Sequence, residues 1–117
     1  MRAIIIDDEV LAQETLKQLL GEVAPMLEVV DIASNVAEGV KSINRYKPDI
    51  VFSDIDMPGI TGLQLLEFFN EEDIQFELIY VTSYSEFAVR AFQLSAIDYL
   101  LKPVEKELLE KAIKKVE

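Results

Sequence analysis

The sequence predicts an α/β fold: one parallel sheet covered by helices on both faces. Three observations lead there. Short apolar runs rich in β-formers alternate with longer segments of helical period along the whole chain. The first run is continuously apolar, as expected of a strand buried on both faces. A helical segment follows every run, and that is the connection parallel neighbours need. With 117 residues, half of them hydrophobic, the chain has the size and apolar content of one domain with one sheet.

Taken in order, RAIIID (2–7) is the first strand, ending in acids. Val10, Leu11, Leu16, Leu19 and Leu20 lie roughly on one stripe of the helix that follows, and Gly21 is a place for it to weaken or end. LEVVDIA (27–33) is the second strand. Asn35, three residues before Glu38, opens the second helix (35–46) with a capping-box pattern. Pro48 then precedes the third strand, DIVFSD (49–54). After the turn signal Met57-Pro58-Gly59, Thr61 and Gln64 form a second capping box and start a helix to about Asn70. FELIYVT (76–82) is the fourth strand, 85–94 a helix and AIDYLL (96–101) the fifth strand. The last helix spans 104–117, with Leu108, Leu109, Ala112, Ile113 and Val116 on its inner face.

Composition removes several chemistries. Without cysteine there is no disulfide, thiolate nucleophile or Cys-ligated zinc; without histidine there is no Ser-His-Asp triad and no phosphohistidine relay in this chain. Acids, bases and nucleophiles must be Asp, Glu, Lys, Tyr, Ser or Thr. With 22 acidic and 11 basic residues the formal charge is −11, which repels nucleic-acid phosphates. No apolar stretch approaches the roughly 20 residues of a membrane span, and the N-terminal apolar segment is too short for a signal peptide. A cytoplasmic location without membrane contact is the expectation.

Ligands of open parallel sheets bind beyond the carboxyl ends of the strands. Asp7 and Asp8 end the first strand, with Glu9 next; Asp54 ends the third, Thr82 the fourth and Lys102 follows the fifth. Crowded carboxylates repel unless a cation compensates them. Mg²⁺ suits such a set, because it prefers oxygen ligands and binds phosphate oxygens. Thr82 can donate to a phosphoryl oxygen, Lys102 can neutralise another, and Asp54 remains as the in-line nucleophile that accepts phosphoryl. Each residue alone has a plainer explanation: an Asp pair as a turn or cap, a Thr as a β-former, a Lys as a solvated side chain. Their coincidence at strand ends of one short chain carries the argument.

The pieces IIIDDE, PDIVFSDIDMPGITGLQLL, LIYVTSY and AIDYLLKP together resemble the receiver domain of two-component response regulators, over essentially all of residues 1–117. TSYSEFAVRAFQLSAIDYLLKP (82–103) is most similar to receivers of the LytTR type (LytR/AlgR). The resemblance implies a flavodoxin-like, doubly wound five-stranded sheet of order 2-1-3-4-5. It implies Asp54 as phosphoacceptor, with Mg²⁺ held by Asp7, Asp8, Asp54 and the backbone carbonyl of Asp56. Thr82 and Lys102 would contact the phosphoryl group, Tyr99 would be the aromatic switch, and the Lys102–Pro103 bond is often cis. A sensor histidine kinase is the implied partner, and the 82–117 region the implied homodimer face. DNA would be reached only through a C-terminal output domain outside these residues, so a receiver cut from a longer transcription regulator is expected. Ser53 departs from the apolar residue usual there; its side chain should point away from the acceptor and affect packing more than chemistry.

Two other readings compete. Asp54-Ile-Asp56 resembles the Asp-x-Asp motif of haloacid-dehalogenase-type phosphatases, but there the motif follows the first strand and further acidic metal ligands follow the lysine. Residues 103–117 contain no aspartate. A pseudo-receiver that only binds partners would need damaged acceptor chemistry, and all five signature positions are intact. The arc of Phe87, Ala88, Ala91 and Phe92 is read as core packing rather than an interface.

Overall fold

The computed structural model describes residues 1–117. Its five strands are β1 (Arg2–Ile6), β2 (Glu28–Ala33), β3 (Ile50–Ser53), β4 (Glu77–Thr82) and β5 (Asp98–Leu101), all parallel, in the order β2-β1-β3-β4-β5. This is the expected flavodoxin-like order. The central strands β1 and β3 are buried on both faces, so both sets of alternating side chains are apolar.

That alternation divides the interior in two. Ile4, Ile6, Val51, Leu78 and Tyr80 face one layer, packed against α2 (Val36–Tyr46), the 3-10 segment Gly62–Phe68 and α3 (Ala88–Gln93). Ala3, Ile5, Ile50, Phe52, Ile79, Val81 and Leu100 face the other, beneath α1 (Val10–Val23) and α4 (Lys106–Lys114). Each fully buried Ile or Phe contributes about 1.5–3 kcal/mol of burial. No helix is long and apolar enough to cross a membrane.

The helix termini show how local sequence sets the frame. Asn35 accepts a hydrogen bond from the Glu38 N–H at 2.8 Å, capping α2, and Lys47 closes it in a left-handed conformation just before Pro48. The Thr61 N–H donates to Gln64 Oε1 at 3.1 Å, the backward half of the expected capping box.

Several expectations are corrected. The 61–70 helix is a 3-10 segment: Gln64 N–H bonds to the Thr61 carbonyl and Phe69 N–H to that of Leu66, three residues back in each case. Gly21 does not end α1, which runs to Val23; the helix has open space at that position and tolerates it. The buried face of α1 runs through Gln13, Leu16 and Leu20, leaving Val10 and Leu11 exposed in the first turn. The 85–94 helix shrinks to α3, with Phe92 half exposed, and Leu108 of α4 lies outside the core that Leu109, Ala112 and Ile113 enter.

Candidate functional site at the carboxyl ends of the strands

Parallel register brings the strand ends to one rim. Ile6 pairs with Ala33 and with Ser53, Ser53 with Tyr80, and Thr82 with Leu101. The ladder continues one residue further: Asp7 N–H bonds to the Ala33 carbonyl, Asp54 N–H to that of Ile6 and Lys102 N–H to that of Thr82. Asp7, Asp54, Thr82 and Lys102 therefore leave the sheet on backbone that is already hydrogen-bonded.

Lys102 ties the rim together. Its ammonium donates to Asp7 Oδ2 at 2.8 Å and to Asp54 Oδ2 at 3.0 Å. Both carboxylates are buried. Burial by itself would lower the Lys102 pKa, but the hydrogen bonds and charges of Asp7 and Asp54 outweigh it and hold the ammonium above its ordinary value. The remaining oxygens are also oriented: Asp54 Oδ1 accepts from the Ile55 N–H at 2.6 Å, and Asp7 Oδ1 from the Glu9 N–H at 3.0 Å. The Lys102–Pro103 bond is cis, as the resemblance implies.

Asp8 and Glu9 are exposed beside this pair, and one carboxylate oxygen from each of Asp7, Asp8, Glu9 and Asp54 lies within 4.8 Å of the others. The donors are all hard oxygens and the net charge remains negative with Lys102 counted. That set fits Mg²⁺ and not a soft metal.

Thr82 is fully buried, and its hydroxyl accepts from the Tyr84 N–H at 3.4 Å. Tyr99 is part-buried, and its hydroxyl donates to the Tyr84 carbonyl. Burial raises the Tyr99 pKa, and a backbone hydrogen bond from Phe87 partly offsets this. Asp56 is exposed, and its nearby carboxylate raises the pKa of the Tyr84 phenol. The five signature positions thus share one rim, with Tyr99 in the adjoining strand β5.

Some members of the site escape a sequence reading. Glu9 was visible only as the next acid after Asp8. Gln13 is buried and donates from Nε2 to the Asp7 carbonyl at 2.6 Å; its signal is a polar residue in phase with Leu16 and Leu20. Ser53 does alternate away from the acceptor side chain, but its hydroxyl bonds to the Asp54 carbonyl at 2.8 Å. Tyr80, inside the fourth strand, carries no sequence signal of a site role, yet its hydroxyl donates to the Gly62 carbonyl at 2.7 Å.

With fold and site in view, comparison with known proteins identifies the class. Residues 3–114 match the family model described as response regulator receiver domain, and the chain belongs to that family. It is 46% identical over 116 residues to an uncharacterized response regulatory protein of Vibrio cholerae, matching 99% of this chain and 48% of that protein. It is 44% identical over 115 residues to the positive alginate biosynthesis regulatory protein of Pseudomonas aeruginosa, matching 98% of this chain and 46% of that one. The chain spans about half the length of the curated relatives it matches. Among solved structures, the response regulatory domain of protein mrkE from Klebsiella pneumoniae superposes with a TM-score of 0.85 at 30% identity, covering 99% of this chain and 94% of that one. A two-component response regulator of the LuxR family from Aurantimonas gives 0.87 at 27% identity, covering 98% and 83%.

Proposed function

We propose that the chain is a phosphorylation switch in which a partner histidine kinase transfers phosphoryl to Asp54. The observation that carries this reading is the Lys102 bridge, which holds Asp54 and Asp7 at hydrogen-bonding distance of one cation. Asp7, Asp8, Asp54 and the backbone carbonyl of Asp56 would hold Mg²⁺. Bound there, the ion would offset the charge of the carboxylates and of an incoming phosphoryl group.

The remaining chemistry belongs to the protein. A carboxylate oxygen of Asp54 attacks phosphorus in line, the phosphorus–nitrogen bond of the donor imidazole breaks, and the departing imidazole takes up a proton. The donor imidazole lies outside residues 1–117, which contain no histidine. Lys102 exchanges part of its contact with Asp54 for a phosphoryl oxygen, and the Thr82 hydroxyl donates to another. Attack of water on phosphorus later restores the carboxylate and releases phosphate. The chain therefore catalyses its own modification without turning over a free substrate.

Thr82 and Tyr99 are both tied to the backbone of Tyr84, so movement of Thr82 toward the phosphoryl group is felt at Tyr99. The 82–117 face then shifts between two states of different affinity for a second copy or an output domain. Exposed Val89, Phe92, Leu101 and Leu108 on that face support a homodimer. A cytoplasmic transcription regulator of the LytTR type, contacting DNA through its output domain, is the setting we propose. Relatives named as transcriptional regulators support it.

The test is treatment with acetyl phosphate or beryllofluoride, with and without Mg²⁺, followed by mass spectrometry and sedimentation. Wild type is expected to take up one group and dimerise. Modification that persists in Asp54→Ala would refute the acceptor assignment.

A further inference from the structure

Two fully buried hydroxyls converge on the backbone around Asp54, and nothing in the acceptor chemistry above uses them. Ser53 and Tyr80 are cross-strand partners in the register of β3 and β4, and both are inaccessible to solvent. Ser53 Oγ donates to the Asp54 carbonyl at 2.8 Å, at the start of the loop that leaves β3. Tyr80 donates to the Gly62 carbonyl at 2.7 Å, at the end of that loop. The two ends also touch: Gly62 N–H bonds to the Ile55 carbonyl at 2.9 Å, and a Cβ on Gly62 would lie 2.0 Å from the Asp54 carbonyl oxygen. Between these points run Asp54, the Ile55 N–H that orients its carboxylate, and Asp56. An apolar residue at either position would remove that hydroxyl tie.

We infer that Ser53 and Tyr80 are positioning residues, a pair of buried hydroxyl ties that clasp loop 54–62 at both ends. They set the direction of the Asp54 carboxylate and of the metal-facing backbone. Displacing oxygen ligands by a fraction of an ångström is enough to be felt, because outer partners of a metal site commonly change affinity by about tenfold or more when removed. Tyr80 is also the register partner of Tyr99 in β5, with ring centroids 6.4 Å apart, so the clasp adjoins the residue proposed as the switch.

This inference rests on the receiver reading, and the experiment separates the two. The full chain is compared with Tyr80→Phe and Ser53→Ala, and with Ile113→Val in the opposite core layer as a control that loses stability without approaching the rim. Mg²⁺ affinity is read from amide chemical shifts during titration, and phosphorylation by acetyl phosphate from its rate at saturating Mg²⁺, well below every melting temperature. Each hydroxyl variant is expected to bind Mg²⁺ about tenfold more weakly and to react more slowly at saturation. Ile113→Val is expected to match wild type in both. Should Tyr80→Phe fail to fold, Ser53→Ala carries the same two readouts. A wild type that is modified normally, beside folded hydroxyl variants identical to it in affinity and rate, overturns the positioning role alone. A wild type that takes up no phosphoryl group overturns the receiver chemistry and the inference with it.

Discussion

Lys102 Nζ lies 3.0 Å from Asp54 Oδ2, so the residue that follows β5 grips the residue that follows β3 across the intervening end of β4. The same nitrogen is 2.8 Å from Asp7. One cation thus compensates two buried carboxylates.

Removing that cation should be costly. Lys102→Met keeps most of the side chain's reach but leaves Asp7 and Asp54 facing each other with no counter-charge. Breaking a largely buried pair from one side typically costs about 3 kcal/mol or more. We expect a loss of that order in urea unfolding at neutral pH without divalent cations, largely restored by Mg²⁺. A variant as stable as wild type in chelator would show that the bridge contributes nothing.

Alkaline pH should weaken the fold through two groups. Lys102 and Tyr80 both have pKa values raised above their ordinary 10.5 and 10.0, Tyr80 because burial disfavours the phenolate and Tyr99 adds repulsion. A group raised on folding contributes stability that is complete below its unfolded pKa and declines as pH rises through the folded value. Stability should therefore be flat in these groups up to about pH 10 and fall above it. In Tyr80→Phe the alkaline slope should be shallower, measurable by denaturant titration across that range.

Two glycines should respond oppositely to alanine. At Gly62 a Cβ would sit 2.0 Å from the Asp54 carbonyl oxygen and 3.0 Å from its carbon, both backbone atoms that cannot move aside. We expect Gly62→Ala to cost about 2–3 kcal/mol and to disturb the acceptor loop. At Gly21, inside α1, nothing lies within 4 Å, and Gly21→Ala should stabilise by about 0.5–1 kcal/mol. Thermal melts of the two variants check both signs.

Mg²⁺ should raise the melting temperature of the wild type. At one hundred times the dissociation constant, binding to the folded state alone contributes about 2.7 kcal/mol. Asp8 is exposed, so Asp8→Ala should leave the stability in chelator nearly unchanged while abolishing most of the Mg²⁺ increment. Retention of the full increment would place the ion elsewhere.

Much of this protein could be read from the order of its residues. Continuous apolar runs between helical periods define a parallel sheet, because only strands covered on both faces need both sets of side chains apolar. Asp7, Asp54, Thr82 and Lys102 were legible as a group because parallel strands all end on the same rim. What the sequence could not convey depends on contacts between distant segments. Periodicity placed Phe92 and Leu108 inside, whereas the rotation of their helices against the sheet leaves them exposed. The capping signal at Thr61 was right about where a helix begins and silent about its tightening into a 3-10 segment. Ser53 reads as a packing residue and Tyr80 only as part of a strand, since a hydroxyl's role depends on which carbonyl lies within about 3 Å of it. Local sequence determined the elements and the chemistry available at their ends; tertiary structure decided which oxygen meets which donor.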